Sequence, residues 1–172
     1  KNKSWNKMKI VDNFLAEDDF RILEMTITNT HDKEFPFYIQ KSVAHSSEKT
    51  EPWSWMGTHM IYHQLEPKSP FFGIMSHMFL SKIQMRSLLR IKANFFPWTP
   101  EVKTHPFHVD YTFENMGAVF SINTCDGYTL FEDGTKVDSV ANRMMFFDPQ
   151  VKHSSSTTTN AHGRFNINFN FL

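Results

Sequence analysis

His108-Val109-Asp110 sets an imidazole and a carboxylate two positions apart. In an extended chain both side chains point to one face, with Cα atoms roughly 6.5 to 7 Å apart. A third donor of the same kind, His153, follows the apolar run Met144-Met145-Phe146-Phe147, which reads as a buried strand whose end reaches a pocket rim. Two imidazoles and one carboxylate form the facial triad of a non-haem iron(II) centre. That arrangement leaves coordination positions open for a bidentate co-substrate and dioxygen, which a closed structural zinc site does not.

Eleven residues after His153 stands Arg164, opening Arg164-Phe165-Asn166-Ile167-Asn168-Phe169-Asn170-Phe171. Strict alternation puts the arginine and three asparagines on one strand face and four apolar side chains on the other. A polar strand face ordinarily looks to solvent. An inward-facing guanidinium, however, suits a carboxylate ligand, because its planar fork of donors stays charged. In that case Arg164 grips a dicarboxylate at the end remote from the metal.

The other histidines fit the triad less well. His105 is three residues from His108, so a strand sends the two to opposite faces, and a pocket-rim role is expected. His162 lies two residues before Arg164, where a ligand would crowd the oxoacid anchor, and His153 is preferred. His31, His45, His59, His63 and His77 have no ligand spacing and are expected to be structural or on the substrate side. Cys125, ahead of the turn signal Asp126-Gly127, reads as a packing residue rather than a nucleophile.

These residues need strands to carry them. After residue 88 the chain breaks into short alternating runs at 90 to 96, 107 to 112, 117 to 124, 128 to 131, 143 to 147 and 164 to 172, implying a sandwich or barrel. Before them come a strand at 8 to 11, a helix over 14 to 25, and a helix that Ser69-Pro70 starts and that ends before Arg90. Residues 31 to 66 read as one or two strands with long loops. Trp53, Trp55 and Trp98 are candidates for an interface or a lid.

A chain of 172 residues fits one domain. Eighteen basic residues against eighteen acidic ones give no field that would draw the chain to nucleic acid or an anionic membrane. The lysines at 1, 3, 7 and 9 read as a solvated terminus. A single cysteine excludes an internal disulfide or a thiolate cluster and points to a reducing, cytoplasmic compartment. No apolar run approaches a membrane span, and the start lacks a signal-peptide core, so a soluble protein is expected. Eighteen Phe beside six Gly favour aromatic-rich strands.

The order His108-x-Asp110, Gly127-Tyr128-Thr129-Leu130-Phe131, Met145-Phe146-Phe147, His153 and Arg164 resembles the iron(II)- and 2-oxoglutarate-dependent oxygenase superfamily, nearest to its prolyl hydroxylase-like branch. The resemblance spans about residues 88 to 172, with the general plan of strand and helices before it. It implies a mostly β (α+β) fold, a double-stranded β-helix or jelly roll with N-terminal and central supporting helices. One oxygenase domain would fill 1–172, with helical support and lid loops in 1–88 and the jelly-roll core in 89–172.

The implied cofactor is Fe(II), with 2-oxoglutarate and O2 as co-substrates, and the implied reaction is hydroxylation coupled to oxidative decarboxylation. Asn94 and Phe96 on the preceding strand, Ser121, Asn123 and Thr129 on later ones, and Asn166 beside Arg164 would line the co-substrate pocket. Two departures stand out: a tyrosine common near residues 90 to 96 is absent, and the usual two-glycine step reads Asp126-Gly127-Tyr128. The partner is an unidentified peptide or small-molecule substrate, selected by loops 31 to 66 and 98 to 107. A nucleic-acid demethylase is disfavoured because Asn166, Asn168 and Asn170 stand where that branch has a second arginine, and a halogenase because Asp110 is present. The alternative from another class is a jelly-roll protein that binds metal or a small acid without turnover.

Overall fold

The computed structural model describes residues 8–28, 35–43 and 51–172. His31, His45 and the lysines at 1, 3 and 7, among the residues weighed above, lie outside them. The chain is mostly β, with its strands in two sheets. The larger sheet runs β1 (Lys9–Val11), β9 (Arg143–Phe147), β6 (Met116–Ser121), β11 (Gly163–Phe171), β5 (Leu88–Pro97), β3 (Met56–His63) and β2 (Tyr38–Gln40), with β4 (Glu66–Pro67) pairing beside β3. The smaller runs β10 (His153–Ser155), β7 (Tyr128–Phe131) and β8 (Lys136–Asp138). This is the sandwich-like arrangement that the run of short alternating segments requires.

The outer face of the larger sheet is covered by α1 (Glu17–Ile27) and by α2 (Phe72–Met75), which continues into a π-helical turn at Ser76–Leu80. Leu23, Ile27, Met75 and Phe79 pack there on Ile91, Ala93, Phe120, Ile167 and Phe169, all fully buried. Phe79 centres this layer, its ring 4.8 Å from that of Phe169 and 5.0 Å from that of Phe120. A second cluster, Val119, Phe131, Val137, Met145 and Phe147, fills the space between the sheets at one end. The alternation of β9 explains the split: Met144 faces the helices, Met145 and Phe147 the smaller sheet.

Two expected elements differ. The helix from Ser69 does end before Arg90, but it is short and irregular: α2 gives way to the π-helical turn, which stops at Leu80, ahead of Ile83. Residues 107 to 112 are not a strand; they bend at Asp110 and Thr112 and are tied down by the bridge between His108 and His153 and by a bond from Asp110 N to Pro149 O at 3.2 Å. No helix among the described residues is long and apolar enough to cross a membrane.

Candidate metal centre

The polar row of β11 is not on the surface. Arg164, Asn166, Asn168 and Asn170 are 1, 4, 8 and 0% exposed and face the interior between the sheets. The antiparallel register with β5 sets Arg164 opposite Phe96, Asn166 opposite Asn94, Asn168 opposite Lys92 and Asn170 opposite Arg90. A pocket opens over these rows, lined by Lys92, Asn94, Phe96, Asn166 and Asn168 on one side and by Thr129, His153 and Ser155 on the other, with His108 and Asp110 at its edge.

His108, Asp110 and His153 converge there with one donor atom each, all within 4.8 Å of one another. Both imidazoles aim Nε2 at Asp110 Oδ1, at 4.0 Å from His108 and 3.9 Å from His153. Backbone bonds fix the pair: His108 N donates to His153 O at 2.9 Å, and His153 N donates to His108 O at 3.0 Å. His153 Nδ1 lies 2.9 Å from Val151 O, and His108 Nδ1 lies 3.5 Å from Pro106 O. A proton on Nδ1, shared with a carbonyl, leaves the Nε2 lone pair free for a metal. Burial, with His153 alongside, pushes His108 down to about 4, so the imidazole is neutral at pH 7, as a ligand must be.

Asp110 is held from behind. Asn168 and Asn170 donate to its Oδ2 at 3.3 and 3.0 Å. Arg90 Nη2 lies 3.2 Å from Oδ1, an ion pair outside the angles of a hydrogen bond. Burial would raise this carboxyl, but Arg90, His153 and Asn170 outweigh it and bring Asp110 down to about 2. Arg90 Nε in turn donates to Asn170 Oδ1 at 3.0 Å, and its guanidinium covers the Tyr111 ring.

At the other end of the row, Arg164 Nη2 donates to Thr129 Oγ1 at 3.0 Å, and the guanidinium lies 5.5 Å over the Phe96 ring. Its Nε and Nη1 are buried with no partner, and no carboxylate pairs with it among the described residues. Burial lowers it to about 10, still charged at pH 7. Arg164 stands behind the pocket wall that Thr129 and Phe96 form, and a Cβ on Gly127 would meet its Cδ at 2.7 Å. Glycine at 127 is therefore what lets the arginine lie flat. The tyrosine that follows turns outward, its hydroxyl 2.8 Å from Thr104 Oγ1.

Of the expected pocket residues, Asn94, Phe96, Thr129 and Asn166 line the cavity, and Asn94 Nδ2 donates to Asn166 Oδ1 at 2.9 Å. Ser121 and Asn123 do not. Ser121 is buried beside Asn166, but Val119 forms the wall on β6. Asn123 is spent stitching strands, accepting from Phe165 N and donating to Gly163 O, both at 2.9 Å. His153 opens β10 in the smaller sheet, six residues beyond β9 rather than at its end.

His105 is no ligand: it is buried between Phe96 and Trp53, with Nδ1 3.0 Å from Ser155 O. Arg90, Lys92, Asn168 and Asn170 were not marked as pocket residues in the sequence. The signal for the first two was the alternation Arg90-Lys92-Asn94-Phe96, which puts all four on one face.

No family model matches the sequence, and no curated protein sequence matches it. Solved structures do match the fold. A prolyl hydroxylase from Trichoplax adhaerens, in complex with a hypoxia inducible factor oxygen degradation domain peptide fragment, superposes with a TM-score of 0.67 at 14% identity, over 96% of this chain and 84% of that one. A prolyl-4-hydroxylase from Pseudomonas putida gives 0.63 at 15% identity, over 96% and 92%. The viral collagen prolyl hydroxylase of Paramecium Bursaria Chlorella virus-1, in its 2OG complex, gives 0.57 at 10% identity, over 96% of each chain. The chain thus has the fold of proteins described as prolyl hydroxylases.

Proposed function

We propose that the chain is an iron(II)- and 2-oxoglutarate-dependent oxygenase built on a double-stranded β-helix, one domain with helices and lid loops supporting a jelly-roll core. The observation that carries this reading is the pairing of two features at one pocket, the first in its lining and the second behind its wall. One is a His-Asp-His cluster with free Nε2 atoms; the other is a buried guanidinium that lacks an anion. A buried charge without a counter-charge is costly, and a carboxylate ligand supplies what is missing.

His108, Asp110 and His153 would hold the metal, and Arg164 with Thr129 would hold the far carboxylate of the oxoacid between Phe96, Asn94 and Asn166. Bound iron(II) would supply the oxidative chemistry, with dioxygen as oxidant: one oxygen atom goes into succinate as 2-oxoglutarate loses carbon dioxide, and the other into the hydroxyl group of the second substrate. The protein's part is to orient the oxoacid, to keep the His108 imidazole neutral and to fix Asp110 from behind through Asn168 and Asn170. The second substrate is a peptide or small molecule, and a reducing cytoplasm suits both the ferrous ion and the lone thiol.

One observation favours the non-catalytic alternative: Arg90 already pairs with the Asp110 oxygen that faces both imidazoles. Succinate formation separates the two readings. The oxygenase forms succinate from 2-oxoglutarate only with iron(II), and Asp110→Ala abolishes it; oxoacid binding without succinate would favour a binding protein.

A further inference from the structure

Lys92 is a pocket-lining cation that neither the metal cluster nor the oxoacid anchor uses. It sits on the inward row of β5, opposite Asn168, whose amide donates to Asp110. Arg164 pairs with Phe96, four residues further along the strand, so the two cations are rooted roughly 13 Å apart. Lys92 therefore stands at the metal end of the row, where the oxidised substrate must approach, and not at the oxoacid's far carboxylate.

The charges there do not cancel. Asp110 is engaged by Arg90, Asn168 and Asn170. In a loaded site the carboxylates of the oxoacid answer Arg164 and the metal. The Lys92 amine has no hydrogen bond or ion pair among the described residues.

Resting on the oxygenase reading, we infer that Lys92 binds an anionic group, a carboxylate or a phosphate, carried by the substrate that is oxidised. The substrate class is then acids, either small molecules or acidic side chains of a peptide, rather than neutral prolyl peptides. A lone ammonium suits this because it meets a single anionic group as a point charge, without the fixed fork of arginine.

The test uses the protein loaded with zinc(II) and the inert oxoacid analogue N-oxalylglycine, titrated with acetate and separately with inorganic phosphate while backbone amide shifts are followed by NMR. At least one anion should saturate, with its shifts centred on β5. Lys92→Met should weaken that binding about tenfold or more, as loss of a charged contact does, and Lys92→Arg should largely restore it. A preference for acetate identifies a carboxylate substrate, and a preference for phosphate a phosphate ester. If neither anion saturates, or if Lys92→Met binds as well as wild type, the inference fails. Its failure is distinguishable from that of the oxygenase reading: iron(II) and 2-oxoglutarate give their visible charge-transfer band in both wild type and Lys92→Met if only the inference is wrong, and in neither if the reading itself is.

Discussion

The two faces of β11 are buried alike and for opposite reasons. Ile167, Phe169 and Phe171, at 0 to 4% exposure, pack against the helical layer. Arg164, Asn166, Asn168 and Asn170, at 0 to 8%, face the smaller sheet. The first face gains free energy by leaving water; the second costs free energy unless each polar group finds a partner. Three atoms on that face, Arg164 Nε, Arg164 Nη1 and Asn168 Oδ1, make no hydrogen bond among the described residues. One face holds the sheet to its helices, and the other is left incomplete, as a binding site is.

The contrast breaks most sharply in paired substitutions. Phe169→Ala removes a ring packed on Phe79 and should cost about 3 to 5 kcal/mol in urea unfolding. Arg164→Met should leave stability unchanged or raise it by about 1 kcal/mol, because it removes an uncompensated buried charge, while calorimetry finds oxoacid binding lost. Gly127→Ala drives a methyl to 2.7 Å from Arg164 Cδ and 2.8 Å from Thr157 O. It should cost about 1 to 3 kcal/mol and weaken the oxoacid together with the fold. Asn170→Ala should cost about 1 to 3 kcal/mol, since it strips Arg90 Nε of its acceptor, and should lower metal affinity about tenfold, measured by chelator competition, since the amide fixes Asp110 and is no ligand itself.

The smallest effect is on a slope. Burial holds His105 near 4, below its ordinary 6.5, so the unfolded chain takes up this proton first. The stability present above pH 6.5 is then lost as pH falls toward 4. His105→Phe should flatten that part of the curve, leaving the share of His108, which has the same direction.

Period-two patterns were what the sequence made legible. The Arg164 row shares a face because its backbone is a strand, and Asn166 and Asn168 of that row line the pocket with His108 and Asp110. Which way that face pointed was not legible, because an alternating strand reads the same whether its polar side meets water or a second sheet. The site survives the absence of a strand at 107 to 112, since the backbone pair between His108 and His153 and the bond from Asp110 N to Pro149 O hold both ligands in place. Arg90 and Lys92 were passed over because cations on a strand usually mark a wet surface, and only the covering sheet turns them inward. The π-helical turn was not legible either, because the apolar periodicity at Met78, Phe79 and Ile83 runs on through it and past its end at Leu80, where packing rather than helix propensity decides.

The central claim is that the triad and Arg164 hold one chelated pair, iron(II) and 2-oxoglutarate. Anaerobic titration of the apo-protein with both, watched for the weak visible metal-to-ligand charge-transfer band, tests it most directly. The account predicts a band in wild type that His108→Ala and Arg164→Ala each abolish. Metal binding without a band in wild type would contradict it.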